Sequence, residues 1–396
     1  MSFFLFKKQP SLSFIFDIRD TSISLAAVRF VKEKKPEIVL CQNFSLNTTG
    51  SKDNKKYLDL MIKTLDQAIL SVRQSLIKIG NKENIEKYYF FIGSPWSISQ
   101  AKTIKIIKDK PFEITNKILS QILVGEESEI EKDIEDTTSE KNLKILEEKI
   151  IQSKLNGYKV EDIYGKKTLD LAVELFVTFI PSEIKDRINF NLNEKIGKNA
   201  QKLNHSCILS SYSYLRDLYS DRNDFIYADI GKLLTDIYVV RDDIIFAIAS
   251  IPFGEENILQ VSLNRTKLPK DVFLSNISIA EDKNFDLPAN NNNTESLRLG
   301  LNFWKNKFKE ALPKICTEMN IPNNLFIIPN SKIADVLIRD LSVDAKNGKI
   351  EILGTKIDVH TITENIINSF IDNSKTFFNE PYVKMDTIFV NKLLNK

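Results

Sequence analysis

Cysteine is scarce in this chain of 396 residues: Cys41, Cys207 and Cys316 stand far apart, with no C-x-x-C spacing. An odd, scattered set excludes a disulfide framework and a cysteine-built zinc site, and it fits a reducing compartment. Histidine is scarcer still, with only His205 and His360, which leaves little material for a histidine-based metal centre or nucleophile. An excess of one charge is also missing. Lysine and arginine number 55 against 53 acidic residues, a formal net charge of +2, so no global field draws the chain to nucleic acid. No apolar run is long enough to cross a bilayer, and Phe3-Phe4-Leu5-Phe6 before Lys7-Lys8 is too short for a signal peptide. The expectation is a cytosolic protein that touches a membrane from one side at most.

What is present is an ordinary globular composition, 42% hydrophobic and 27% charged, in a chain long enough for roughly two to four compact units. Its most informative stretch runs from Phe225 to Ile258. Apolar runs of strand length, punctuated by Gly231, the polar turn Arg241-Asp242-Asp243 and the stop Pro252-Phe253-Gly254, predict an antiparallel meander of three strands. At its first bend stands Asp229-Ile230-Gly231. A glycine there lets backbone amides approach a phosphate, and an aspartate beside it can hold Mg2+ through water. Phe14 to Val28 repeats the pattern: an apolar strand ending in Asp17-Ile18, a polar turn containing Thr21 and Ser22, and a returning apolar strand.

Two such hairpins, one opening each half of the chain, resemble the phosphate-binding hairpins of the actin-like ATPase superfamily. Further along, Lys154-Leu155-Asn156-Gly157-Tyr158, then Tyr164-Gly165-Lys166-Lys167 and the apolar strand Leu169 to Phe179 resemble the small inserted domain of the bacterial FtsA/PilM branch. The resemblance implies an α/β protein with a two-lobed actin-like (ribonuclease H-like) fold and a small strand-helix-strand domain inserted in the first lobe. Its divisions are 1–93 for the first lobe, 94–180 for the inserted domain, 181–224 for linking helices that complete the first lobe, and 225–396 for the second lobe.

The same resemblance implies a nucleotide site built by both hairpins. Asp17 and Asp229 would steady Mg2+, and these two with Thr21, Ser22, Gly231, Thr235, Asp236 and Gly254 would meet ATP. The pattern is damaged, however. Arg19 stands where the first turn needs glycine, Lys232-Leu233-Leu234 where the second needs small residues, and Glu255 follows Gly254 in place of a second glycine. The adenosine loop Ile327-Ile328-Pro329-Asn330-Ser331-Lys332 carries no glycine pair. Arg19 and Lys232 are expected to neutralise Asp17 and Asp229, filling the cleft with salt bridges; weak binding of ATP and Mg2+ through these cations is the alternative.

For function, the resemblance implies a cytoplasmic scaffold peripheral to the inner membrane, with nucleotide binding weakened or lost. Its partner would be the cytosolic tail of a membrane protein in type IV pilus assembly, or a bacterial filament protein in cell division, with self-association as a further option. An active Mg-ATPase or sugar-kinase relative is the competing reading, although no sugar pocket or base beside a γ-phosphate stands out.

Elsewhere, helical spacing predicts amphipathic helices over Tyr57–Ile79 and Leu297–Met319, and a helix pair over residues 184–219. Residues 267–293, ending in four asparagines, read as a flexible tract. The acidic run from Glu126 to Glu140 reads as a solvated helix face or mobile loop, with a docking surface as the alternative. The terminal stripe Ile388, Phe389, Val390, Leu393 and Leu394 reads as a packed final helix rather than a membrane anchor.

Overall fold

Strands β1 (Ser11–Ile18) and β2 (Ser22–Arg29) are buried at almost every position, because both faces of their sheet are covered. The computed structural model describes residues 11–46, 54–281, 292–316, 320–348, 350–372, 378 and 380–395. The Phe3–Phe6 run, most of the polar link at 47–54, and Asn290-Asn291 lie outside the described residues. The chain forms two compact units, Met1–Asp221 with Glu364–Lys396, and Arg222–Thr363.

In the first unit β3 (Glu37–Ser45) follows the hairpin, then α1 (Asn54–Lys78) and β4 (Asn84–Ile92). Leu58, Met61, Leu65, Ile69, Val72 and Leu76 give α1 one buried face, and it covers Phe14, Phe16, Ile18, Phe90 and Ile92 of the sheet.

The inserted domain then follows as β5 (Ile98–Glu113), α2 (Asn116–Thr137), β6 (Leu143–Leu155), β7 (Tyr158–Lys159) and β8 (Lys167–Pro181). Its sheet runs β5-β8-β6-β7, with a core of its own around Ile104, Leu119, Ile130, Ile134, Val173, Leu175 and Val177. Asn156 and Gly157 turn β6 into β7 with φ of 47° and 85°, the left-handed pair that a tight hairpin turn requires. Helix α2 runs on through most of the acidic segment. There Glu126 and Glu129 both pair with Lys102, at 2.5 and 2.9 Å.

Glu127, on the same helix, is buried against the sheet. Burial first, and the neighbouring Glu148 carboxyl, push its pKa up from 4.5 to about 7. A carboxyl raised in the folded state costs nothing while it is protonated in both states, so stability falls as pH rises from about 4.5 and the loss is complete above about 7. Glu127→Gln is therefore expected to raise the melting temperature at a pH of about 8 and to leave it unchanged at about 4, as read by calorimetry across that range.

After the insertion, α3 (Ser182–Ile196), β9 (Gln201–Ser206) and α4 (Cys207–Leu218) complete the lobe. The expected helix pair is present as α3 and α4, and between them β9 adds a fifth strand, parallel to β4, that the sequence did not announce. Glu147 of β6 ties the insertion to it, lying 2.8 Å from His205 Nδ1 and accepting from the Ser206 amide at 2.8 Å.

The second unit repeats the plan. Strands β10 (Phe225–Ile230), β11 (Thr235–Arg241) and β12 (Ile244–Ile251) form the expected meander. Helices α5 (Glu255–Thr266), α6 (Lys270–Glu281) and α7 (Asn292–Ile315) follow, then β13 (Asn324–Ile327) and α8 (Lys332–Lys346). A small hairpin of β14 (Glu351–Ile352) and β15 (Thr355–Lys356) precedes β16 (Asp358–Thr361). Helix α6 occupies much of the tract read as flexible. The sheet order β12-β11-β10-β13-β16 matches β3-β2-β1-β4-β9 of the first unit position for position. In each, the hairpin strands are antiparallel and the two added strands are parallel.

The chain then returns to the first unit with α9 (Glu364–Asn368) and α10 (Pro381–Leu394). The second lobe therefore ends near Thr363, not at the last residue as the sequence reading had it. Among the described residues no helix is long and apolar enough to cross a membrane.

Candidate functional site

Each hairpin places its aspartate by register. In the first unit Asp17 pairs with Ser24, so it faces away from Phe16 and Ile18, which pack under α1. Its carboxylate is 2% exposed, with Arg19 Nε 2.9 Å from one oxygen and Cys207 Sγ 3.6 Å from the same oxygen. The Arg19 guanidinium in turn lies 3.4 Å over the Tyr382 ring of α10. The expected neutralisation of Asp17 by Arg19 is thus present, with an aromatic lid over the cation.

Just before Tyr382, Glu380 accepts hydrogen bonds from Ser24 Oγ at 2.9 Å and Asn43 Nδ2 at 3.3 Å. Burial, opposed by the Ser24 hydrogen bond and aided by the Asp17 charge, holds the Glu380 carboxyl above its usual range. Burial likewise pushes the thiol of half-buried Cys41 up.

Thr21 and Ser22 sit half-buried in the turn. The Thr21 amide donates to Asp20 Oδ1 at 2.8 Å, and the Arg19 amide to the Ser22 carbonyl at 3.0 Å. From outside the turn, Trp96 Nε1 donates to the Arg19 carbonyl at 2.8 Å and the Gly93 amide to the Ile18 carbonyl at 3.0 Å.

In the second unit Asp229 stands directly across from Asp236, and Asp236 across from Ser250, a polar row on one sheet face. Ser250 Oγ donates to Asp236. Thr235 is fully buried. Its hydroxyl donates to the Phe253 carbonyl at 2.8 Å and accepts from Trp304 Nε1 at 3.0 Å, joining β11, the turn after β12, and α7. Thr235→Val keeps the shape and orphans the buried indole N–H, so a loss of about 1–3 kcal/mol is expected in urea unfolding.

The Gly231-to-Leu234 turn is closed by the Gly231 amide donating to the Leu234 carbonyl at 2.9 Å. Its carbonyls are met by α5: the Glu255 amide donates to Gly231 at 3.0 Å and the Glu256 amide to Lys232 at 2.8 Å. Gly254 lies so close beneath the turn that a Cβ there would stand 2.5 Å from the Gly231 oxygen.

Lys232 does not serve Asp229 as expected. Its Nζ pairs with Glu255 at 3.2 Å, and the other Glu255 oxygen accepts from Ser331 Oγ. Two first-turn amides of α5, those of Glu255 and Glu256, are thus spent on carbonyls of the turn, and the buried Glu255 carboxylate lies beside it. Among the described residues no group of three or more His, Cys, Asp or Glu is placed to hold a metal ion.

Sequence reasoning noticed Glu255 only as a missing glycine. Cys207 was noted only as a scattered cysteine and Ser331 only as part of a loop without glycine, while Glu380 and Tyr382 were not singled out. Ser331 had a local signal, an N-cap residue ahead of a periodic apolar run. Glu380 lies 356 positions from the Ser24 that it bonds, and nothing local announces it.

No family model matches the sequence, and no curated protein does. Solved structures match in fold. A chain of the PilM-PilN type IV pilus biogenesis complex superposes with a TM-score of 0.56 at 11% identity, covering 97% of this chain and 96% of that one. A Bacteroides thetaiotaomicron protein of actin-like ATPase fold and unknown function gives 0.42 at 10% identity, over 98% of this chain and 99% of that one. ParM of Bacillus thuringiensis, with AMPPNP, gives 0.44 at 11% identity, over 98% and 100%. With two five-stranded sheets of one order, each opened by a hairpin, and a domain inserted after β4, this chain has the actin-like ATPase fold.

Proposed function

We propose that this protein is an actin-fold scaffold of a membrane-associated machine, similar in role to PilM, and that it has lost nucleotide binding. The observation that carries the reading is the likeness to a chain of the PilM-PilN complex over 97% of the residues, inserted domain included. In this reading its partner is the short cytosolic tail of a membrane protein, which holds the scaffold against the inner membrane. Residues 94–180 supply contact surface for that partner. The second lobe, 222–363, keeps its hairpin as architecture.

The test is calorimetric titration of the purified protein with Mg-ATP. No binding is expected up to millimolar nucleotide. Micromolar affinity would overturn the proposal and return Asp17, Thr21, Ser22, Asp229, Gly231, Thr235, Asp236 and Gly254 to the roles of nucleotide and Mg2+ contacts. On the partner side, affinity isolation from membranes is expected to recover a single-span protein with a short cytosolic tail, and a peptide of that tail is expected to displace it.

A further inference from the structure

Glu255 is the first residue of α5, and its side chain is only 3% exposed. A charge that deep persists only when paired and hydrogen-bonded, and three segments meet it. Lys232 of the turn lies 3.2 Å from one oxygen. Ser331 donates to the other while accepting from the Ala334 amide at 3.1 Å as the N-cap of α8. The carboxylate also sits in the first turn of its own helix. Two helix starts, each with a partial positive charge, and one ammonium group thus converge on one anion. That anion belongs to the chain itself.

We infer that Glu255 is a built-in anion for the second hairpin: its carboxylate takes the position and the electrostatic role of a bound oxyanion, locking the 231–234 turn, α5 and α8 together without ligand. The inference rests on the proposed loss of nucleotide binding for its biological sense, but it makes a separate claim. Removing the carboxylate leaves a space lined by Lys232, Ser331 and two helix starts, fit for a small oxyanion such as acetate or inorganic phosphate.

The experiment compares wild type, Glu255→Ala and Glu255→Gln by thermal melting and by hydrogen exchange at α5 and α8, each with and without millimolar acetate or phosphate. Glu255→Ala is expected to melt roughly 5 °C lower, with faster exchange at both helix starts. Either anion should restore at least half of that loss while leaving wild type unmoved. Glu255→Gln fills the space without charge, so it should lose stability and gain nothing from anions.

Wild-type stability in either variant overturns the inference, as does an anion effect equal in wild type and Glu255→Ala. If Glu255→Ala does not fold, the Gln variant decides: a wild-type melting temperature means the charge has no such role. Tight Mg-ATP binding by the wild type would end the proposed function and leave these outcomes intact, whereas absent rescue with no ATP binding would end this inference alone.

Discussion

Gly254→Ala is expected to cost the second unit about 3 kcal/mol or more in the absence of any nucleotide. The backbone at Gly254, with φ −120° and ψ −161°, is extended and open to any residue, so the penalty is one of space. A Cβ there would stand 2.5 Å from the Gly231 oxygen and 2.7 Å from the Lys232 carbonyl carbon and oxygen. Those are main-chain atoms, and they cannot retreat cheaply. The two carbonyls hold the Glu255 and Glu256 amides, so moving the turn breaks the start of α5.

Gly300 gives the same physics on a helix. A Cβ would lie 2.5 Å from the Ile258 carbonyl oxygen where α7 crosses α5, so alanine there destabilises, whereas at an open helical site it gains up to about 1 kcal/mol. Urea unfolding of the unliganded protein checks both. A glycine kept only to admit a phosphate would leave unliganded stability unchanged when replaced, and that result at Gly254 would sink the structural account of the residue.

This reassignment shows where the sequence was legible. The hairpins could be read because β1, β2, β10 and β11 are dense in Ile, Val and Phe and stop at polar turns, a local signal independent of tertiary context. Helix α1 declared itself by spacing. Strand β9, Gln-Lys-Leu-Asn-His-Ser, has neither alternation nor β-branched residues, and it is a strand only because the β4 edge offers it a ladder. Helix α6 lies in a tract whose polar neighbours diluted the period of Val272, Phe273 and Ile277.

The candidate site was half legible for a related reason. The Arg19–Asp17 pair spans two positions on one turn and could be guessed. The partner of Lys232 is 23 positions away on another element, and choosing between Asp229 and Glu255 needs the third dimension. Thr235 and Asp236 fell in the right places for a phosphate loop, yet the fold commits the Thr235 hydroxyl to Trp304 and Phe253, and Asp236 to Ser250.

Deleting residues 381–396 is expected to abolish cooperative folding of the first unit, the largest effect predicted for this chain. Nine residues of α10 are buried, from Pro381 to Val390. Burying Tyr382, Val383, Met385, Phe389 and Val390 contributes on the order of 10 kcal/mol at about 2 kcal/mol each, comparable with the whole stability of a domain. The polar residues between them are equally committed. Lys384, 1% exposed, donates to Glu364 and to Asn368 Oδ1 at 2.8 Å, and Asp386 accepts from Ser210 of α4 at 2.6 Å. An amphipathic helix bound for lipid would bury no lysine and aspartate with protein partners on its inner side. Circular dichroism and solubility of the truncated chain measure the outcome, with Phe389→Ala as a graded control expected to lose roughly 3 kcal/mol through its contacts with Phe91 and His205. A truncated protein that stays soluble and melts like the full chain would overturn the account of α10 as a structural part of the first unit.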